Sequence, residues 1–356
     1  MADKIGVGII GCGNIAGRYA ANLKQYPEME LVGATDIDYS RAEALTKEHG
    51  GQPYRTTAEL LADDRIQMVV NLTIHHAHKA VITEALNAGK HVYSEKPLAM
   101  TYADARELVE LAQSKGLRLG CSPITWMGEA QQTAWKQIRE GRLGDVRVIF
   151  AEVNWGRIET WHPAPEPFYE VGALYDVGVY PLTLITTIFG PARRVWAKGE
   201  LLKPDRQTLD GRPFHVSTPD FVVSMVELES GPVVRLTTDF YVGQHSKQKG
   251  VEFHGDAGSL YISSWQVFDA DVEFTEFGKK YEPVPLIKEP YHGTEWGRGA
   301  RDMAQAILEN RPHRATGEQA AHVVEILEAA TRAMSSGEAV EVHSTFQQPT
   351  PMDWAS

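Results

Sequence analysis

Two cysteines, Cys12 and Cys121, are all that 356 residues contain. That is too few for a disulfide framework or a four-thiolate zinc site, and it points to a reducing compartment. Basic charge is also in deficit. Lys and Arg number 35 against 47 Asp and Glu, and the net charge is −12. A nucleic-acid binder carries a basic stripe, and none is present here. Nor is there a block of about five or six like charges to mark an interaction tail. No apolar run approaches the roughly 18 residues of a membrane-spanning helix. The opening Met-Ala-Asp-Lys leads straight into an apolar run with no readable signal peptide. The expectation is a cytoplasmic protein whose partners are a small molecule and other copies of itself, not nucleic acid or membrane.

What is present is a change of texture along the chain. The first 120 or so residues alternate apolar β-branched runs (Ile5–Ile10, 30–35, 67–73, His91–Ser94, 117–122) with helix-period stretches (14–25, 40–49, Thr57–Leu61, 77–88, Tyr102–Ser114). Strands alternating with helices of this length predict βαβ units and a parallel, doubly wound sheet. A helix over 129–140 follows, then a Pro-, Trp- and Glu-rich loop over 156–171, then a helix over 173–189. Alternating runs at 194–201, 221–229, 233–242, 251–254, 259–263 and 272–277 predict a largely antiparallel sheet. Helices at 295–309 and 317–335 close the chain. The fold class is therefore α/β, with a Rossmann domain over 1–123 and an α+β domain over 124–356 carrying a large, mostly antiparallel open sheet. One face of that sheet is helical. The other is wet or used for homo-oligomerisation, as a dimer or tetramer.

Gly11-Cys12-Gly13-Asn14-Ile15-Ala16 follows the first strand and opens the first helix, matching the G-x-G-x-x-A form of the dinucleotide fingerprint. Its glycines let backbone N–H groups approach a pyrophosphate, and the helix N-terminus adds a positive dipole end. Asp36 closes the second strand, where a carboxylate accepts from the adenosine ribose hydroxyls and repels a 2′-phosphate. Arg41 is the only nearby cation in the sequence. NAD is expected over NADP.

Ser94-Glu95-Lys96-Pro97 ends another strand of that sheet, at the edge where doubly wound sheets bind ligands. Further on, Asp176 and Tyr180 lie four apart and share a helix face. An acid in a first helical turn beside a core tyrosine has the same spacing. With these elements in hand, the whole chain resembles the glucose–fructose oxidoreductase, inositol dehydrogenase and rhizopine-catabolism (Gfo/Idh/MocA) family. The resemblance is carried by the Gly11–Ala16 loop, Ala85–Val92 ahead of Glu95-Lys96-Pro97, Ile138–Gly144, Asp176-Val-Gly-Val-Tyr180 and Arg301–Ile307.

That resemblance implies an NAD-dependent dehydrogenase acting on a hydroxyl or ketone of a sugar, glycoside or cyclitol. Lys96, Asp176 and Tyr180 are its implied catalytic residues. Tyr180 stands where many sugar and cyclitol dehydrogenases of the family have His, which disfavours inositol dehydrogenase itself. The family pattern also places Thr73, His75, His78, Glu95 and Lys96 at the cofactor, beside Gly11, Gly13, Asn14, Ile15 and Asp36. Trp161 and His162 are either a pocket wall or an exposed loop with incidental aromatics; as a wall they join Lys96, Asp176 and Tyr180 as the expected substrate contacts. Many members carry an arginine within the stretch that is Cys121–Ile138 here. This chain has none, and Trp126 is the candidate replacement. His75, His76 and His78 lie close enough to suggest a metal, but the family uses none and no carboxylate–His or Cys–His spacing supports one, so no metal is expected. Free tyrosine and lysine titrate near about 10 and 10.4, so which of Tyr180 and Lys96 carries the proton stays open. Two other outcomes fit the same fold: glycoside cleavage through transient oxidation and elimination, and a cofactor-sensing regulator.

Overall fold

The apolar runs of the first 120 residues become strands β1 (Ile5–Ile10), β2 (Met29–Thr35), β4 (Met68–Asn71), β5 (His91–Ser94) and β6 (Leu119–Cys121), joined by a short β3 (Gln52–Tyr54). They form one sheet in the order 3-2-1-4-5-6, parallel throughout. β3 is not anticipated from sequence, because three residues are too few to show a period. Parallel strands covered on both faces read as unbroken apolar runs, and β1 is buried at all of its positions. Helices α1 (Ala16–Leu23), α2 (Tyr39–His49), α3 (Thr57–Leu61), α4 (His78–Asn87) and α5 (Tyr102–Ser114) cover it. Thr56 and Thr101 cap α3 and α5 by accepting the N–H groups of Glu59 and Asp104. The strand order reverses between β1 and β4, which opens a crevice at their carboxyl ends.

The computed structural model describes residues 4–356 and resolves them into two units. The first runs to Ile124 and takes in Glu295–Val324; the second holds Thr125–Thr294 and Glu325–Ser356. The second unit is built on β7 (Val146–Asn154), β8 (Ala192–Glu200), β11 (Phe221–Leu228), β12 (Val233–Asp239), β13 (Gly250–Gly255), β14 (Gly258–Ile262), β15 (Val272–Glu276), β16 (Glu282–Pro283) and β17 (Val340–Glu341). Their order is 16-15-14-13-7-12-11-8-17, and β7 with β12 is the parallel pair in an otherwise antiparallel sheet. Short strands β9 (Asp205–Gln207) and β10 (Pro213–His215) pair separately.

β7 is not anticipated from sequence, although it is central. Ile149-Phe150-Ala151 breaks the apolar–polar alternation, and Glu152 is buried against Arg235. The helix α6 (Glu129–Arg139) lies as expected. The segment read as a loop up to 171 is instead helical from Glu166, as α7 (Glu166–Ala173). Pro165 is its cap and Pro167 lies in its first turn, where a missing N–H costs nothing. The single helix expected over 173–189 is a π-turn, Leu174–Gly178, followed by α8 (Val179–Phe189). Gly172 breaks the run at φ +79°, and Pro181 has no N–H for the Val177 carbonyl. By length and composition the run Glu166–Phe189 could cross a membrane, yet 83% of its apolar window is buried inside the protein, as in a core helix.

Helices α9 (Arg298–Leu308) and α10 (Gly317–Ser336) close the chain. The sequence reading assigns everything after residue 123 to one domain, but Glu295–Val324 belongs to the first unit. Its carbonyls at Ala306 and Ala315 accept from Arg118 and from the Cys121 N–H beside β6. Arg301 and Gln305 bind the Glu28 carboxylate, and Ala321 and Val324 join the core under α4 and α5. Contacts this distant in sequence leave no local periodic signal.

Candidate active site

In the first unit, the turn after β1 is fixed before any ligand arrives. Gly11 takes φ +95°, and a Cβ there would stand 2.7 Å from the Leu72 carbonyl carbon, so only glycine fits. The Cys12 N–H donates to Asp36 Oδ2 at 2.6 Å and the Asp38 N–H to Oδ1 at 2.8 Å. Asp36 thus anchors the loop, and each oxygen keeps a lone pair for a hydroxyl. Burial, followed by the Asp36 charge, pushes the Cys12 thiol up to about 12, so it stays protonated.

Around this turn lies a crevice of about 500 Å³, lined by Gly13, Asp36, Ile37, Arg41, Arg55 and Thr73 among others. A Cβ on Gly13 would meet nothing within 4 Å, which leaves the loop open where a pyrophosphate must approach. α1 has no acid in its first turn and no side-chain cap, as an anion-binding helix end requires. Ile37 is completely exposed at 107%, a flat apolar surface suited to an adenine face. The residues present fit a nicotinamide dinucleotide. Asn14 and Ile15 sit at the mouth of α1, with Ile15 as its cap residue. Ile37 and Arg55 escape the sequence reading: Ile37 reads as an ordinary apolar residue, and Arg55 is delivered by β3.

Thr73 and His78 show how the crevice is braced. Thr73 donates to Asn71 Oδ1 at 2.7 Å. His78 is 1% exposed, with Nδ1 2.7 Å from the Pro97 carbonyl and Nε2 3.0 Å from that of Thr73. Burial holds its pKa below the usual value. Both ring nitrogens are taken up, and His78 clamps the Lys96–Pro97 turn to the end of β4. His75 lies in the following 3₁₀ turn against His76, with ring centroids 4.1 Å apart, while Ile74 and Ala77 line the crevice in its place. Among the described residues no cluster of three His, Cys, Asp or Glu side chains could hold a metal.

Glu95 is also a brace. It is buried; Tyr19 Oη donates to Oε1 at 2.5 Å, and Oε2 accepts the Lys96 N–H at 3.2 Å. Ser122 Oγ meets Tyr19 and Tyr93 at 3.0 and 3.2 Å. Burial, with Glu95 adding to it, pushes the Tyr19 phenol far up and keeps it a donor. This path joins α1, which follows the glycine loop, to the turn that carries half-buried Lys96 at the end of β5. Tyr19 had no signal beyond its place on the buried face of α1.

In the second unit, Asp176 occupies the π-turn and Tyr180 the first turn of α8. π-turns recur at functional sites because they re-aim side chains within a helix. Tyr180 is buried, its ring 5.0 Å from Trp265. Trp161 is 49% exposed, packed edge-on against Trp155 and His162. His162 Nδ1 lies 2.8 Å from the Ala164 carbonyl of its own loop. Trp126, offered as a stand-in for the missing arginine, is a core residue at 1% exposure, edge-on to Trp135.

The loop bearing Trp161 hangs on a buried ionic network invisible in the sequence. Arg206 is completely buried. It pairs with Glu159 at 2.8 Å and with Asp220, and donates to Tyr169 Oη at 2.7 Å. Asp220 also accepts the N–H groups of Leu202 and Lys203. Every charge in it has a partner, as burial demands.

Comparison with known proteins then fixes the family. The model described as "Oxidoreductase family, NAD-binding Rossmann fold" matches residues 5–122, and that of the GFO/IDH/MocA C-terminal domain matches residues 131–261. The chain belongs to the Gfo/Idh/MocA oxidoreductase family. Within it, the chain is 30% identical to trans-1,2-dihydrobenzene-1,2-diol dehydrogenase of Bos taurus, over 63% of this chain and 64% of that protein. Less than two thirds of that relative's length is thus spanned. A longer match, 27% identical over 92% of this chain and 95% of the other, is to dTDP-3,4-didehydro-2,6-dideoxy-alpha-D-glucose 3-reductase of Actinomadura kijaniata. Among solved structures, an NAD-binding oxidoreductase of Klebsiella pneumoniae shares the fold, with TM-score 0.84, 20% identity, and 96% and 99% of the two chains covered. The chain thus carries an NAD-binding Rossmann domain of the oxidoreductase family and a GFO/IDH/MocA C-terminal domain.

Proposed function

We propose that the protein is an NAD-dependent dehydrogenase or reductase acting on a carbinol or ketone of a sugar, glycoside or cyclitol. The observation that carries this reading is Lys96 at the carboxyl end of β5, braced by Glu95 and His78 in a sheet whose crevice fits a dinucleotide. NAD is favoured because the Asp36 carboxylate faces the place of a 2′-phosphate. Of the two cations nearby, Arg41 pairs with Asp38 and Arg55 lies 4.5 Å over the Tyr39 ring. Gly11, Gly13, Asn14, Ile15, Asp36 and Thr73 hold the dinucleotide.

Bound there, the nicotinamide supplies the hydride acceptor or donor. The protein then has two tasks: to place the reacting carbon and to move the hydroxyl proton. Tyr180 and Lys96 are the proton-handling groups, and Asp176 orients the substrate hydroxyls. Trp161 offers a ring for a sugar face, with His162 holding the loop in shape.

Incubation of the protein with NAD and a panel of sugars, glycosides and cyclitols tests the proposal. Reduced nicotinamide accumulating with at least one of them supports it. Glycoside cleavage without reduced nicotinamide would replace it with oxidation–elimination chemistry, and tight NAD binding with no turnover would replace it with a sensor.

A further inference from the structure

A series of aromatic ring contacts connects Tyr180 to Trp161. Trp265 lies 5.0 Å from Tyr180, Trp155 lies 5.6 Å from Trp265, and Trp161 6.3 Å from Trp155. Trp155 and Trp161 wall a cavity of about 880 Å³, and Tyr241, Gln244 and His245 face them. Trp161 and Tyr241 leave 49% and 38% of their surface exposed in this concavity. Large aromatic faces left open in a pocket mark a ligand surface. Trp161 is the third ring from Tyr180 in this series of contacts, and Tyr241 and Arg157 share its cavity.

The charge of the cavity is out of keeping with the chain. The protein carries −12, yet no Asp or Glu lines this cavity, and Arg157 does. The guanidinium lies 4.6 Å over the Tyr241 ring, and among the described residues no carboxylate pairs with it. The loop that supplies Gln244 and His245 continues through Lys247 and Lys249. A weakly hydrated, planar cation held on an aromatic face is suited to a carboxylate or phosphate.

We infer that this cavity is a subsite for an acidic group on a second moiety of the substrate. The substrate is then an extended, anionic saccharide, not a free neutral monosaccharide. The acidic group is a uronic carboxylate or a phosphate ester. Trp161 and Tyr241 hold the ring that bears it, and Arg157 receives the charge. This inference rests on the sugar-oxidoreductase reading above.

The test is calorimetric titration with three probes: a glucuronate-containing disaccharide, UDP-glucose, and a neutral disaccharide, each with NAD present. One acidic probe is expected to bind at least about tenfold tighter than the neutral one. That advantage should shrink in R157Q, be kept in R157K, and fall with added salt in the wild-type protein. Preference for the glucuronide identifies a carboxylate, and for UDP-glucose a phosphate. Equal binding of acidic and neutral probes, or an advantage unchanged by both R157Q and salt, overturns the subsite. The salt series needs no variant, so it decides even if R157Q fails to fold. Failure of the broader reading is separate: no sugar, acidic or neutral, would then reduce NAD.

Discussion

At the scale of single residues, Asp36 does two jobs, and its substitution separates them. It anchors the Cys12 N–H, and in the proposed NAD site it faces the place of a 2′-phosphate. Wild-type kcat/KM for NAD should exceed that for NADP by at least about tenfold, roughly 1.4 kcal/mol. D36S should weaken both cofactors through the loosened loop while narrowing their ratio. Steady-state kinetics with both cofactors measures this, and an unchanged ratio would contradict it. Lys96 and Tyr180 are the proposed proton handlers, and removing such a group typically costs about 10²–10⁴ in rate. K96A should lose activity on that order with cofactor affinity little changed. Y180F keeps the ring against Trp265, so a fall in kcat with unaltered thermal stability is expected. Near-normal turnover in Y180F would make Tyr180 a core aromatic and leave the proton to Lys96. These residues stand out as candidates in the sequence because their motifs are local. Tyr19, Ile37 and Arg55 do not, since their roles depend on which strands and helices meet.

At the scale of elements, periodicity is a good guide where one rule governs a segment and a poor one where two compete. β1 has the ends expected of it because a fully buried parallel strand reads as a plain apolar run. β7 is hidden by its central place, and α7 by prolines that look like loop signals but sit at a helix start. The end of β12 carries a further consequence. Asp239 is completely buried, with Oδ1 accepting the Tyr241 and Val242 N–H groups at 2.9 and 2.5 Å. Burial, reinforced by Asp220 and Glu152, raises its pKa from 3.8 to about 6. A carboxyl whose folded pKa is raised binds protons more readily folded than unfolded. Its contribution to stability is therefore complete below the unfolded value and declines as pH rises from about 4 to 6, by up to about 3 kcal/mol. Denaturant unfolding of the wild type and D239N across that range should show the variant gaining relative stability as pH increases. Parallel curves would contradict the account.

At the scale of the whole molecule, the doubly wound sheet and the antiparallel sheet are both readable in outline, but the chain's return is not. Segment Glu295–Val324 rejoins the first unit through contacts with β6 and Glu28 that no local pattern announces. The wet face of the large sheet remains a proposed homo-oligomer surface. Across it Trp196 faces Met225, Met225 faces Arg235, and Arg235 faces Phe150; Trp196 and Met225 are 39% and 48% exposed. Light scattering should give a multiple of the 39.5 kDa chain mass, reduced in M225K. A monomer at high concentration would exclude this interface.

The central claim is a hydride passed between a sugar carbon and a nicotinamide. Its most direct test uses a substrate from the sugar panel carrying deuterium on the reacting carbinol carbon, with mass analysis of the reduced cofactor. The account predicts that the label appears in the nicotinamide ring of NADH, and that K96A slows its appearance. Reduced cofactor free of label, or label released to water with no cofactor reduced, would contradict it.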